Sequence, residues 1–378
     1  MPVQRNLKIF NKIKPKLEFG ITIATFYVTI KPLWQRIFIK ACVVSTTLCL
    51  ISSVLHIVDT FEGQFTGNLA MSLMFCISSM QILSKTVLMR YHRNNVLELM
   101  DKVQSLHNDF EDEEFNFIAE RNLTKFSNIW TTCFKLTKTI LYITVFSFSI
   151  TNVIKGKSGV IVQLPLIPTD FPCYTQIMLF MQFLFSTLAM VSVFYIDMCI
   201  AFFGFEIMAA SDILYDYISA NKDRIQKDND FLEIITIRFC EIVYNIKYFN
   251  KIIFISSLVQ FVTSTFLNLA VFFFIRLYPK DLVGYILALT VLFQLLIPCV
   301  FGEYIKIKME RLSSNLYLTN WHDLSLKDQK SFLIVLRMTQ KEYGIRAAEM
   351  YDINIYTFIK IVKMAVSWCT LIYTRDYH

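Results

Sequence analysis

Seven long apolar runs divide this chain, and the last stops only a few residues before the C-terminus. They occupy residues 37–58, 65–88, 134–153, 173–207, 252–277, 282–304 and 353–374. At about 1.5 Å of rise per residue, each is long enough to cross roughly 30 Å of hydrocarbon as a helix. The expected fold is therefore an all-α membrane protein, a single seven-helix domain over residues 1–378. The segment from Leu371 to His378 leaves little room for a tail. A seventh helix that ends this way suggests a task inside the membrane, such as lining a path.

Composition supports a membrane protein. Hydrophobic residues make up 55% of the chain and charged residues only 18%, against roughly 25% charged in a soluble domain. The 35 Phe residues suit lipid-facing packing and apolar-ligand surfaces alike. The net charge of +7 is spread over several loops and forms no nucleic-acid patch. Nine scattered Cys show no CxxC pair and no zinc spacing, so neither a disulfide framework nor a metal site is expected. The five His residues are isolated, and no hydrolase, zincin or phosphate-loop motif occurs. Nothing argues for an enzyme or a cofactor.

Lys and Arg set the expected orientation. Most of the 37 lie in the N-terminal segment (1–36), the loop between the second and third runs, the loop over 208–251 and the loop over 305–351. The other side carries Lys155, Lys157, Arg276, Lys280 and Arg375. The positive-inside rule then puts the N-terminus in the cytoplasm and the C-terminus outside. Residues 1–18 are basic and polar, with no cleavable signal peptide evident. The apolar stretch 19–30 is too short to span and suggests an interfacial or re-entrant helix. The fourth run is longer than a membrane requires. Its end carries Asp197 and Glu206, so it is expected to project beyond the bilayer.

Two basic loops carry helical patterns. Residues 231–248 have apolar positions at Leu232, Ile235, Ile237, Ile242 and Ile246, which predicts an amphipathic extension. Residues 325–341 predict a separate helix, capped by Ser325 and supported by Asp328, with Phe332, Val335, Leu336 and Met338 roughly on one face. That helix either contacts another subunit or lies on the membrane.

From Cys299 onward several short motifs follow one another in order. They are Gly302-Glu303, Asn315-Leu316-Tyr317 and Trp321, then Lys327-Asp328-Gln329-Lys330. Leu336-Arg337-Met338-Thr339-Gln340-Lys341 and Ile345-Arg346-Ala347-Ala348 come next. The series closes with Asn354-Ile355-Tyr356-Thr357-Phe358, Ile361-Val362-Lys363 and Ser367-Trp368. This stretch resembles the C-terminal signature of insect odorant receptors; the earlier chain agrees in length, span count and inverted topology.

The resemblance implies a subunit of an odorant-gated, non-selective cation channel in the plasma membrane of olfactory sensory neurons. Four subunits would surround one pore lined by the seventh spans, as a heterotetramer with a shared co-receptor. The co-receptor has a long insertion in the fourth loop, and the short loop here fits a tuning subunit. Gustatory receptors share the architecture but place a Gln-Phe late in the last span, where this chain has Tyr373-Thr374. A seven-helix receptor coupled to a G protein would need the opposite orientation.

Pore candidates are Ser367, Leu371, Thr374 and Arg375, spaced close to one helical face. Leu371 suits an apolar constriction that gates by dewetting, and Thr374 offers a hydroxyl to an ion. The alternative is that these are the last turns of a packed helix. Lys360 and Lys363 either snorkel inward or pair with Glu349 and Asp352. A small volatile organic ligand is expected among the outer halves of the earlier spans (37–207), where apolar walls carry a few polar groups. Candidates are Met74, Phe75, Tyr142, Phe146, Tyr174, Gln176, Phe180, Phe183 and, from the 252–304 spans, Tyr285. Tyr317, Trp321, Phe332 and Leu336 in the anchor region (305–351) are expected at the subunit interface, ahead of the pore segment 352–378. Membrane lipids are the other partner, and no nucleic acid is.

Overall fold

The computed structural model describes residues 5–377 apart from 26–31, 62–65, 109–111, 165–166, 169, 223, 225–228 and 348–350. Among these, ten α-helices run in the order α1 (Arg5–Thr25), α2 (Leu33–Thr60), α3 (Gly67–Tyr91), α4 (Arg93–Leu106), α5 (Glu113–Lys155), α6 (Tyr174–Ala220), α7 (Asn229–Leu277), α8 (Leu282–Tyr317), α9 (Leu326–Thr339) and α10 (Ile355–Tyr377). Seven of them, α2, α3, α5, α6, α7, α8 and α10, contain a stretch long and apolar enough to cross a membrane. The protein is a multi-pass membrane protein. Its strands among the described residues are a short antiparallel ribbon, β1 (Arg346–Ala347) against β2 (Tyr351–Asp352).

Four of the spanning helices are far longer than a bilayer. α5 and α6, with 43 and 47 residues, reach about 65 and 70 Å at 1.5 Å per residue. The excess gathers at one end, rich in Lys and Arg, together with α1, α4 and α9. There the large aromatic core forms from Phe10, Trp130, Phe202, Tyr217, Phe231 and Phe239. The projection expected for the fourth run is present, and the 231–248 pattern is part of the continuous α7.

The helix expected over the apolar stretch 19–30 begins earlier, within the basic N-terminal segment, and its residues 26–30 lie outside the described residues. α1 starts at Arg5 and buries Phe10, Ile13, Leu17, Ile21 and Ala24 at helical spacing while Lys8, Lys12 and Lys16 stay exposed. α4 follows the same logic with Val96, Leu99, Met100 and Val103. Polar ties lock this end. Arg121 meets Asp216 at 2.7 Å, Lys308 meets Asp212 at 2.6 Å, and the Tyr217 hydroxyl donates to Asp112 at 2.6 Å.

α9 begins as its sequence predicts. The backbone N–H of Asp328 donates to Ser325 Oγ at 3.2 Å, and that hydroxyl donates to the Asp328 carboxylate at 2.6 Å. At Gly302 in α8 the backbone meets the segment before α10: a Cβ there would sit 1.8 Å from the Ile353 carbonyl oxygen. Asn250 on α7 holds the ribbon by donating to the Gly344 carbonyl at 2.9 Å and accepting from the Arg346 N–H at 3.2 Å. Asn354 then caps α10, its side-chain oxygen accepting the Thr357 N–H at 2.8 Å.

The opposite end has its own smaller core, formed by Met71, Met74, Phe148, Val271, Phe273 and Phe274 with neighbours from α10. The loop after α5 folds over it. Ile161 donates to the Gln182 side-chain oxygen at 3.2 Å and accepts from Ser72 at 3.2 Å.

Candidate functional site

Charged and amide side chains inside apolar helices are costly, so their partners point to sites. Lys85 on α3 is completely buried, and its ammonium lies 2.6 Å from Asp197 Oδ1 on α6. The amide of Gln294 on α8 donates to Asp197 Oδ2 at 3.3 Å. Gln260 on α7 donates to the Gln294 carbonyl at 3.1 Å. Four helices are thereby joined at one level. Gln294 lies about 18 Å along α8 from Leu282, near mid-membrane depth.

Beside this network is a cavity of about 90 Å³, framed by α5, α6, α7 and α8. Asp197, Gln260 and Gln294 contribute polar surface, and Leu141, Phe194, Phe293, Ile297 and Phe301 much of the apolar wall. At Thr290 on α8, a Thr144–Thr290 hydroxyl pair at 2.7 Å bridges α5 and α8. A second, more open groove of about 480 Å³ shares Thr137, Met198, Ala201, Phe293, Ile297 and Phe301 with the cavity and runs towards Tyr304 and Lys308. Asp197 thus serves inside the bundle rather than on a projecting end. Its charge within an apolar run, matched by that of Lys85 in another, is the signal that finds this site.

The nine residues expected to bind ligand are placed elsewhere. Met74 is buried in the smaller core, and Phe75 stacks on Phe148 with ring centroids 5.2 Å apart. Tyr174 is half-buried. Tyr142, Phe146, Gln176, Phe180, Phe183 and Tyr285 all point outward from the chain. None of the nine lines the cavity. Sequence gives residue type and depth, but not the rotation of each helix. On α5 it is Thr144 and Phe148 that face inward, while Tyr142 and Phe146, each two residues away, face out.

α10 buries Ile361, Ala365 and Cys369 against its own chain. Its other face exposes Lys360, Lys363, Ser367, Leu371 and Thr374 in one stripe, with Leu371 63% exposed. The hydroxyls of Ser367 and Thr374 donate to carbonyls one turn back, at 2.9 and 2.5 Å. The backbone of Arg375 continues α10; its side chain lies outside the described residues, as does Glu349. Of the two alternatives for Lys360 and Lys363, snorkelling or pairing, the Asp352 carboxylate offered for pairing is bonded by Arg346 at 3.1 Å.

The interface candidates divide. Phe332 and Leu336 are buried within the chain, Phe332 completely, so neither faces a partner. The apolar face of α9 serves its own core, because α8 lies alongside it and Ser313 bonds Thr339 at 2.9 Å. Tyr317 is 63% exposed, and Trp321 is half-buried against Phe332. Leu326, Leu333 and Ile334 are also exposed on α9, a surface that the one-face reading of this helix missed.

The family described as 7tm Odorant receptor matches residues 66–366. Odorant receptor 33b and Odorant receptor 82a of Drosophila melanogaster are 29% and 34% identical to this chain over 83 residues. Those alignments cover 22% of this chain and only 22% and 21% of the two receptors. Across nearly the whole chain the fold resembles that of the insect olfactory receptor OR5 from Machilis hrabei in complex with eugenol, with a TM-score of 0.78 at 8% identity, covering 98% of this chain and 99% of that one. A second structure of OR5 from Machilis hrabei gives a TM-score of 0.73 at 8% identity, covering 97% and 98%.

Proposed function

The chain belongs to the 7tm odorant receptor family, and on that premise we propose that it is the odorant-recognising, tuning subunit of a ligand-gated, non-selective cation channel. It assembles with a co-receptor into a heterotetramer in the plasma membrane of olfactory sensory neurons. Its basic end is cytoplasmic and its C-terminus outside, as the distribution of Lys and Arg supports.

One observation carries this reading. α10 presents a continuous outward stripe of Lys360, Lys363, Ser367, Leu371 and Thr374, while its opposite face is buried. Charged and hydroxyl groups are disfavoured against lipid at that depth, so the stripe fits a water-filled path shared between subunits. Leu371 forms its apolar constriction, and Ser367, Thr374 and Arg375 line the remainder. The exposed Tyr317, Leu326, Leu333 and Ile334, with Trp321 behind them, form the contact with neighbouring subunits at the cytoplasmic end.

The odorant enters the cavity between α5, α6, α7 and α8. Met74 and Phe75 belong to the core packed beyond it, near the outer mouth. α7 packs against both α8 and α10, so a ligand that shifts the cavity wall has a direct mechanical route to the pore helix.

The test is whole-cell recording of the chain with and without a co-receptor against a panel of small volatiles. A ligand-dependent cation current that needs both chains, and whose tuning changes when Ser257→Phe fills the cavity, supports the reading. Currents that are the same with and without this chain overturn it.

A further inference from the structure

The cavity beside Asp197 has a chemistry that narrows what it holds. Its walls are mostly apolar, yet one carboxylate opens onto it. A carboxylate has about four lone-pair sites for hydrogen bonds. Among the described residues Asp197 uses two, from Lys85 and Gln294. Its side chain keeps 23% of its surface accessible although it lies within the bundle, and it is among the residues that line the cavity. The group is therefore an acceptor aimed into a mostly apolar chamber.

The charge balance selects among donors. Lys85 already neutralises Asp197 at 2.6 Å and is itself shielded completely from solvent. An added cation would have no second negative charge to meet there. It would lose its hydration with little return, and burying an unpaired charge is heavily unfavourable. A neutral hydroxyl has no such penalty and gains a charge-assisted hydrogen bond. A pure hydrocarbon fits the walls but brings no donor to the lone pairs that Lys85 and Gln294 leave open.

Size sets the other limit. A water-sized group needs on the order of 10–15 Å³ on this scale, so a cavity of about 90 Å³ takes roughly six to nine such groups. A slightly longer tail can pass between Met198 and Ile297, whose side chains border both the cavity and the neighbouring groove.

We propose that this cavity selects small, neutral hydrogen-bond donors, namely alcohols or phenols of roughly six to nine heavy atoms, which donate to the carboxylate of Asp197 while their apolar part lies against Phe293 and Ile297. This rests on the cavity being the ligand site and adds the ligand's class.

The experiment is photolabelling of the full-length chain in membranes with a short diazirine-bearing alcohol, the labelled residues being mapped by mass spectrometry. Competitors are hexanol, hexane and hexylamine, compared at equal membrane concentration. Labelling is expected on cavity residues of α6 and α8, and hexanol should compete at least about tenfold better than hexane or hexylamine. The paired replacement Lys85→Met with Asp197→Leu should remove that preference, and Ser257→Phe should remove the labelling. Labelling in the cavity that hexane or hexylamine suppresses as well as hexanol leaves the ligand site standing and overturns the donor class. Labelling confined to other parts of the chain overturns the site itself. Both of these outcomes are measured on the parent chain, so neither depends on a variant that folds.

Discussion

Nε2 of His107 lies 3.2 Å from Oε2 of Glu206, and both side chains are almost fully buried. The pair joins the end of α4 to α6. His107 Nδ1 faces the Asn6 carbonyl of α1 at 3.3 Å, and its ring packs on Phe10 with centroids 4.9 Å apart. Three helices of the basic end therefore meet at one titratable group.

This contact predicts a pH dependence. Burial alone would push the His107 pKa down, but the charge and hydrogen bond of Glu206, with the Asn6 carbonyl, outweigh it and leave the pKa above the usual value. A raised folded-state pKa contributes stability that is fully present below the unfolded value of about 6.5. That contribution is lost as pH rises through the folded pKa. Thermal unfolding of the purified chain should show a midpoint that falls between pH 6 and pH 9. His107→Gln should lower stability by about 3 kcal/mol at pH 6 and flatten the pH dependence. An equally steep dependence in the variant would remove His107 as its source.

Asn122-Leu123-Thr124 is an acceptor sequence for N-linked glycan. Asn122 is buried, and its amide donates to Asp216 at 2.8 Å and to the Ile118 carbonyl at 3.2 Å. If the basic end lies in the cytoplasm, as proposed, no glycan is added. Glycosidase treatment should leave the mass unchanged, and Asn122→Gln should destabilise the chain by on the order of 1 kcal/mol through the lost hydrogen bonds. A glycosidase-sensitive shift that Asn122→Gln abolishes would invert the topology.

How much of this was legible depended on the kind of signal. The spans were legible because lipid demands length and apolarity together, and the start of α9 because Ser325 and Asp328 form a local motif. The first half of α1, α4 and the first half of α5 were missed, since hydropathy averages over a window and these helices are amphipathic. Phe115, Ile118, Asn122, Phe126 and Trp130 recur at helical spacing, so the period was present in the sequence although the mean was not. In the C-terminal signature, Gly302 and Asn354 have structural duties that sequence alone did not state: one lets Ile353 approach and the other caps α10. The residues that line the cavity were not legible one by one, because helix rotation is set by packing between elements.

The two faces of α9 should separate on mutation. Phe332 is fully buried, so Phe332→Ala should cost about 3–5 kcal/mol and lower the amount of folded chain. Ile334 is 65% exposed. Ile334→Asp should leave the isolated chain's unfolding midpoint nearly unchanged but reduce co-purification with the co-receptor and delivery to the cell surface. Trp321→Ala, half-buried, should affect both. If Ile334→Asp assembles and conducts like the parent, this face of α9 does not touch a neighbour.

Leu371 gives the sharpest test. It sits on the exposed stripe of α10 between Ser367 and Thr374, opposite the buried Ala365 and Cys369. If four such helices enclose the path, a ring containing Leu371 keeps the closed constriction dry. Leu371→Ser admits water there, so current without odorant should rise several-fold in whole-cell recordings beside an unchanged co-receptor. Leu371→Phe narrows the same point and should lower the odorant-evoked current. Thr374→Val removes a hydroxyl near the ion and should alter selectivity more than leak. Arg375→Gln removes a repulsive charge and should raise cation conductance or divalent permeability, an effect that weakens at high salt. Leu371 and Thr374 lie on an outward face, so surface expression of their variants should match the parent and isolate the conduction effect. Variants at Leu371 and Arg375 that match the parent in leak, conductance and ion preference would show that this stripe packs against something other than a pore.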